Sequence, residues 1–303
     1  MILEYIFADN SREIIDLKRN IEVSDKWVNI NLKSKLEFIK EFLPAFYNGQ
    51  KIVLFDQNHK QLVKFHQEND INSLELIDEV NKENQLLFFT SGSSGFPLGA
   101  FKSRRGLEKE IIELKQLVEK YQVKKVIVTV PFVHIYGVLA GLLLPYALDN
   151  VTLVVKDDFL PYELLEESKE KNTLVITTPV FIKSLAKLSE SKDLSSSIFI
   201  SSTGPIHMDD VNAFREKYKS DIMQIFGSTE TAGIAYKLNG SSKWIPFSKV
   251  NVTTENEKLS VSSPFISSYI LKEKILKLDQ PFVTEDIIEL DSEGFTLVGR
   301  SNK

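Results

Sequence analysis

The chain has 303 residues, 43% hydrophobic and 26% charged, an ordinary soluble globular composition with core enough for one or two domains. A net charge of −5 argues against a nucleic-acid partner, and the lack of cysteine excludes a disulfide framework, a thiolate zinc site and a catalytic cysteine. The first ten residues carry Glu4 and Asp9 instead of a signal peptide's basic and apolar regions, and the longest apolar stretch, Val138 to Leu144, is too short to span a bilayer, so a cytoplasmic protein without a membrane partner is expected.

Within residues 1–80, Leu32, Leu36, Ile39 and Leu43 recur at helical spacing and Ile52 to Phe55 reads as a strand. His59 and His66 lie in a polar region without flanking metal ligands and read as surface histidines. From Leu86 the chain alternates. Strands are expected at 86–90, 124–130, 151–155, 173–177, 197–201 and 221–226, with helices at 105–121, 137–148, 161–170, 179–190 and 208–219. The first of these helices places Leu107, Ile111, Leu114 and Val118 on one face, and the strands are continuous Val/Ile/Leu runs suited to burial on both sides. The fold class is therefore α/β, with mainly parallel sheet layers flanked by helices and strand-to-helix loops gathered at one edge, where ligands bind in such folds. Beyond Gly233 short alternating strands, such as 258–262 and 295–298, suggest a smaller β-rich subdomain over 234–300 behind a larger unit over 1–233.

The strand at 86–90 breaks into Thr90-Ser91-Gly92-Ser93-Ser94-Gly95, then Phe96-Pro97-Leu98-Gly99. Hydroxyls and backbone N–H groups with little side-chain bulk are what phosphate oxygens require. A flexible Gly/Ser linker is the competing reading, weakened by the apolar launch and the Pro-x-Gly close. The loop is not a Walker loop, a nucleophile elbow or a dinucleotide fingerprint. Without that elbow, and with only four histidines, a serine hydrolase is poorly supported.

The loop resembles the Thr-Ser-Gly-Ser/Thr-Thr/Ser-Gly-x-Pro-Lys-Gly signature of the adenylate-forming superfamily: acyl- and aryl-CoA synthetases, peptide-synthetase adenylation domains and luciferases. It departs at Leu98, where the superfamily has lysine. Further stretches match in order. Pro131 to Gly137 is similar to Pro-x-x-His-x-x-Gly, which implies that His134 and Gly137 border the acid pocket; a plain helix-start histidine is the alternative. Ser202-Thr203-Gly204-Pro205 resembles the small-residue turn against adenine and acyl group. Phe226-Gly227-Ser228-Thr229-Glu230 resembles aromatic-Gly-x-Thr-Glu, which implies Phe226 on adenine beside Gly227, Thr229 at the α-phosphate and Glu230 on magnesium. Thr284-Glu285-Asp286 is similar to Thr-Gly-Asp with Glu285 in place of glycine, and Gly299-Arg300 matches Gly-Arg; the resemblance places Asp286 and Arg300 on the ribose.

The activity implied is attack of a small acyl or aryl carboxylic acid on ATP with Mg²⁺, and transfer of the acyl group to the thiol of CoA or of an acyl carrier protein. Lys102, four residues past Leu98, is the nearest candidate for the absent catalytic cation, unless it is simply solvated. No acidic anchor for a substrate amino group is identifiable. Residues 301–303 stand at the superfamily's hinge, and the catalytic C-terminal domain that follows it there is expected from elsewhere, as a separate chain or a missing segment. A non-catalytic nucleotide or acyl-adenylate binding module of the same descent is the alternative that accommodates Leu98 and Glu285.

Overall fold

Strands Lys125–Val128, Thr173–Thr177 and Ile198–Ser201 are buried along their whole length, the pattern of parallel strands covered on both faces. The computed structural model describes residues 1–17, 21–31, 34–90 and 97–301. Among these the strands form three sheets. The largest runs in space from Ile245–Pro246 through Ala232–Leu238, Asp221–Ser228, Ile198–Ser201, Thr173–Thr177, Lys125–Val128, Thr152–Val155 and Ile2–Ile6 to Arg12–Ile15. Its centre is parallel, from Asp221–Ser228 to Ile2–Ile6, and both edges are antiparallel.

The second sheet orders Ile275–Lys277, Tyr269–Leu271, Leu98–Lys102, Leu86–Thr90, Lys51–Phe55 and Trp27–Asn31, the last three parallel and the rest antiparallel. The third is an antiparallel sheet of two hairpins, Asn251–Glu255 with Lys258–Ser262 and Phe282–Asp291 with Gly294–Arg300. The C-terminal region is thus β-rich, and its strands also complete the edges of the two larger sheets.

One hydrophobic cluster fills the space between the two large sheets, joining Ile52, Leu86 and Phe88 to Val126, Val128 and Ile176 through the helices between them. Helix Lys35–Tyr47 contributes the stacked rings of Phe38, Phe42 and Phe46, with its first turn closed by the Ser34 hydroxyl accepting the Glu37 N–H at 3.1 Å. Helix Arg104–Val118 is capped in the same way by Ser103, which accepts the Gly106 N–H at 3.0 Å. It buries the Leu107, Ile111, Leu114 and Val118 face and, with it, Glu110.

One connection and one helix differ from the sequence expectation. The segment after Thr90 does not lead to a helix; it joins antiparallel strands, with Thr90 opposite Leu98 and Leu86 opposite Lys102. Gly99 makes that strand hard to read, yet glycine is what the sheet needs: a Cβ there would lie 2.9–3.1 Å from Leu87, Leu271 and Phe89. Asp221–Ser228 turns back into the antiparallel Ala232–Leu238, which begins the β-rich stretch. The helix expected at 137–148 is a turn of α-helix at Ile135–Val138, a π-helical Leu139–Leu143 and a last α turn at Leu144–Ala147. Such π segments widen a helix and recur at binding sites.

Candidate functional site

A cavity of about 1300 Å³ opens at the carboxyl ends of the strands, between the two large sheets and the small one. Thr90 lines it from the end of its strand, with Leu98 opposite. His134 and Gly137 enter from the start of the π-containing helix; Ser202 and Thr203 follow the strand Ile198–Ser201. Gly227, Thr229 and Glu230 come from the Asp221–Ser228 turn, and Arg300 from the last strand. Residues scattered over the sequence from 90 to 300 therefore share one cavity. Ser91, Gly92, Ser93, Ser94 and Gly95 lie outside the described residues.

Local chemistry fixes each contributor. Gly137 sits so close to the preceding segment that a Cβ would fall 2.0 Å from the Pro131 carbonyl oxygen. Gly227 has the same relation to the Ala232 carbonyl oxygen, again 2.0 Å. Ser202 donates from its hydroxyl to the Ile225 carbonyl at 3.0 Å, tying the two loops together. Thr203 holds φ +76, an unfavourable value for a β-branched residue, at the cavity wall. The Tyr136 hydroxyl donates across strand ends to the Ile200 carbonyl at 2.7 Å, with the Thr177 carbonyl at 3.1 Å.

The turn that presents Thr229 and Glu230 is held from within and beneath. The Ser228 and Thr231 N–H groups each donate to the other's hydroxyl, at 3.0 and 3.1 Å. The Glu230 carbonyl accepts the Lys102 ammonium at 2.8 Å and the Ser267 N–H at 2.8 Å. Lys102 also donates to the Phe265 carbonyl at 3.0 Å. Glu230 also lines the cavity, and among the described residues its carboxylate makes no hydrogen bond, while its charge lies near the Lys102 ammonium.

That geometry corrects the expectation for Lys102. It stands at the end of its strand opposite Leu98, roughly 13 Å along at 3.3 Å per residue, and is 2% exposed. Its ammonium supports the Glu230 backbone and does not line the cavity. Burial lowers the Lys102 pKa and raises that of the neighbouring Glu110, each opposed by the charge of the other. Arg104, two residues on, also stays off the cavity lining: it lies over the rings of Phe46 and Tyr47 and pairs with Glu108.

Phe226 is also placed differently. Ile225, its neighbour on the strand, lines the cavity, whereas the Phe226 ring packs against Trp244 and Phe295 at 5.3 and 5.9 Å. Gly204 and Pro205 are exposed just outside the cavity lining. Asp286 lies behind Arg300, to which it is ion-paired at 3.2 Å, and only Arg300 reaches the lining. Glu285, the departure from glycine, does line it, with its carboxylate held by Lys258 at 2.8 Å.

The lining adds residues that the sequence did not single out. Lys272 and Lys274, at the tip of the Tyr269–Leu271 to Ile275–Lys277 hairpin, stand at the edge where Leu98 replaces lysine, since Leu271 pairs with Gly99. Glu110 lines the cavity beside Leu114. A carboxylate among the apolar residues of the buried helix face, which also carries Glu113, was the signal available for it.

A smaller cavity of about 260 Å³ adjoins the first through Phe89, Thr90 and His134, and includes His59. His59 caps helix Lys60–Glu68, its Nδ1 accepting the Leu62 N–H at 3.2 Å. His66 is half-buried against the rings of Phe65 and Phe89, and burial lowers its pKa to about 4. Among the described residues no group of three or more His, Cys, Asp or Glu could hold a metal ion, and no helix is long and apolar enough to cross a membrane. A single carboxylate such as Glu230 suits a hard divalent cation that takes its remaining oxygens from phosphates and water.

The sequence profile of AMP-binding enzymes matches residues 49–264. The chain belongs to this family. As an AMP-binding enzyme it shares its fold with the ATP-bound MatB of Rhodopseudomonas palustris, at a TM-score of 0.70 and 14% identity over 99% of this chain and 75% of that one. An ATP-bound RpMatB-BxBclM chimera superposes at a TM-score of 0.75 and 14% identity with the same coverage. O-succinylbenzoate coenzyme A synthetase (MenE) of Bacillus subtilis in complex with AMP gives 0.71 and 17% over 92% of this chain and 69% of that one. The α/β architecture of this AMP-binding enzyme is thus that of adenylate-forming enzymes.

Proposed function

We propose that the protein is a cytoplasmic ligase that uses ATP to convert an acyl or aryl carboxylic acid into its acyl-adenylate, then passes the acyl group to the thiol of CoA or a carrier protein. The observation that carries this reading is the Thr229–Glu230 turn, pinned by Lys102 and Ser267 and directed into a cavity with cations and hydroxyls at one end and apolar walls at the other.

In the first half-reaction a carboxylate oxygen attacks the α-phosphorus of ATP, the bond to the bridging oxygen of the β-phosphate breaks, and pyrophosphate leaves. Both reactants are anions, so catalysis rests on donors and positive charge placed where charge develops. Thr229 donates from its hydroxyl to the α-phosphate, while Thr90 and residues 91–95 cradle the β- and γ-phosphates. Lys272 and Lys274 supply the positive charge that Leu98 does not. Glu230 holds Mg²⁺, which neutralises phosphate charge when bound. Arg300, fixed by Asp286, reaches the ribose, with adenine near Gly204, Pro205 and Gly227. His134, Gly137, Ser202 and Thr203 border the acid. In the second half-reaction the thiol sulfur attacks the acyl carbon and AMP leaves.

The test is ATP–pyrophosphate exchange with a panel of aliphatic and aryl acids. Exchange that appears only when an acid is added supports the reading. Exchange absent with every acid, from protein that binds AMP, favours a binding module instead.

A further inference from the structure

The small sheet contributes two side chains of opposite charge to the cavity wall, Glu285 and Arg300. They come from neighbouring strands, with Arg300 in register with Asp286, the residue after Glu285. The Glu285 carboxylate is anchored through one oxygen only. Its Oε2 accepts the Lys258 ammonium at 2.8 Å and the Ser301 hydroxyl, and the Ser301 N–H donates to the Glu285 carbonyl at 2.9 Å. Among the described residues Oε1 accepts no hydrogen bond. The bonds from Lys258 and Ser301, with the charge of Arg300 nearby, hold the carboxyl below the usual carboxylate range, so it is ionised at neutral pH. Arg300 is anchored in the same one-sided way: its Nε stands 3.2 Å from Asp286 Oδ1, and its Nη groups donate to nothing among the described residues. Both side chains are open to a ligand, at 41% and 60% exposure.

This pairing narrows what can bind between them. A phosphate or carboxylate is repelled by Glu285 and an ammonium by Arg300, whereas a hydroxyl both gives and takes a hydrogen bond. Two adjacent hydroxyls on a neutral ring therefore suit a fixed acceptor beside a fixed donor. We infer that Glu285, standing where the superfamily's pattern has glycine, reads the ribose of the nucleotide: Oε1 accepts a hydrogen bond from one hydroxyl while Arg300 donates to the other. Asp286, which does not line the cavity, is the positioning residue for Arg300. The inference rests on the adenylation reading, which puts a nucleotide in the cavity, and names the residue that selects its sugar. A deoxynucleotide leaves the pair unsatisfied, and a nucleotide with a phosphate on its 3′ oxygen, as in coenzyme A, sets an anion against Glu285.

The experiment is titration calorimetry of the intact protein with AMP, 2′-deoxy-AMP, 3′-deoxy-AMP and adenosine 3′,5′-bisphosphate. In wild type at least one deoxy analogue is expected to bind roughly 10- to 100-fold more weakly than AMP, the range of one hydrogen bond to a charged group. The bisphosphate is also expected to bind more weakly than AMP. Glu285→Ala weakens AMP, closes its gap to that deoxy analogue to about threefold or less, and lets the bisphosphate gain on AMP. Removing one partner of an exposed ion pair costs little stability, so the variant should fold. Should it not, Glu285→Gln, which keeps the length and loses the charge, narrows the same gap. Deoxy analogues that match AMP in wild type overturn this inference alone, as does a gap unchanged in the Glu285 variants; closure of that gap in Asp286→Asn instead would give the ribose to Asp286. Wild-type protein that binds neither AMP nor ATP overturns the adenylation reading and this inference with it.

Discussion

Replacing Lys102 by methionine separates support of the site from direct work on phosphate. The wild-type ammonium is 2% exposed and bonds the Glu230 and Phe265 carbonyls at 2.8 and 3.0 Å. Methionine keeps the volume and removes both bonds and the charge. The Glu230 carbonyl keeps the Ser267 N–H at 2.8 Å, so the Phe265 carbonyl loses more, and Glu110 loses its nearby counter-charge. Breaking a buried ionic arrangement costs about 3–5 kcal/mol, and since Glu110 escapes by taking up a proton we expect the lower end, about 3 kcal/mol. The sign with pH follows from Glu110. Its folded pKa is raised above the unfolded one, so the folded state is favoured below the unfolded value and loses that advantage as pH rises through the folded value. Without Lys102 the folded value rises further, and Lys102→Met is more destabilising at pH 8 than at pH 6. Urea unfolding at the two pH values is the assay. A loss below about 1 kcal/mol, equal at both, would refute the placement of Lys102 beneath the turn.

Glu230→Ala should abolish the magnesium dependence of ATP binding in titration calorimetry; an unchanged dependence removes the metal assignment. Lys272→Ala and Lys274→Ala should each weaken ATP binding roughly 3- to 10-fold and flatten its salt dependence while sparing AMP, as expected for exposed cations near the outer phosphates; equal losses for ATP and AMP would contradict that position. For His66 the folded pKa, about 4, lies below the usual 6.5, so the unfolded chain takes up the proton first and stability falls as pH drops from about 6.5 to 4. His66→Phe should flatten this stretch of the pH–stability curve, and a persistent slope would assign it elsewhere.

The parallel core was legible because its strands are unbroken β-branched runs; Thr173–Thr177 agrees with the sequence reading to the residue. Leu98–Lys102 was not, because packing against Leu87, Phe89 and Leu271 demands glycine at position 99, and glycine reads as loop. Motif order located the cavity but not the face each side chain takes: one step of strand alternation puts Ile225 on the cavity and Phe226 against Trp244. Proximity in sequence favoured Lys102 as the cation. The sheet instead brings Lys272 to the Leu98 edge, a pairing that requires knowing that Leu271 lies beside Gly99. Glu110 was visible only as a polar interruption of the Leu107, Ile111, Leu114 stripe, and its burial depends on tertiary packing around Gly233.

Adenylation is tested most directly by oxygen transfer. An acid that supports exchange is labelled with ¹⁸O in both carboxylate oxygens and incubated with the protein, ATP, magnesium and a thiol acceptor, and the AMP is analysed by mass spectrometry. Attack on the α-phosphorus predicts one ¹⁸O in each AMP formed. AMP that carries no label, or label found in inorganic phosphate alongside ADP, would contradict the account.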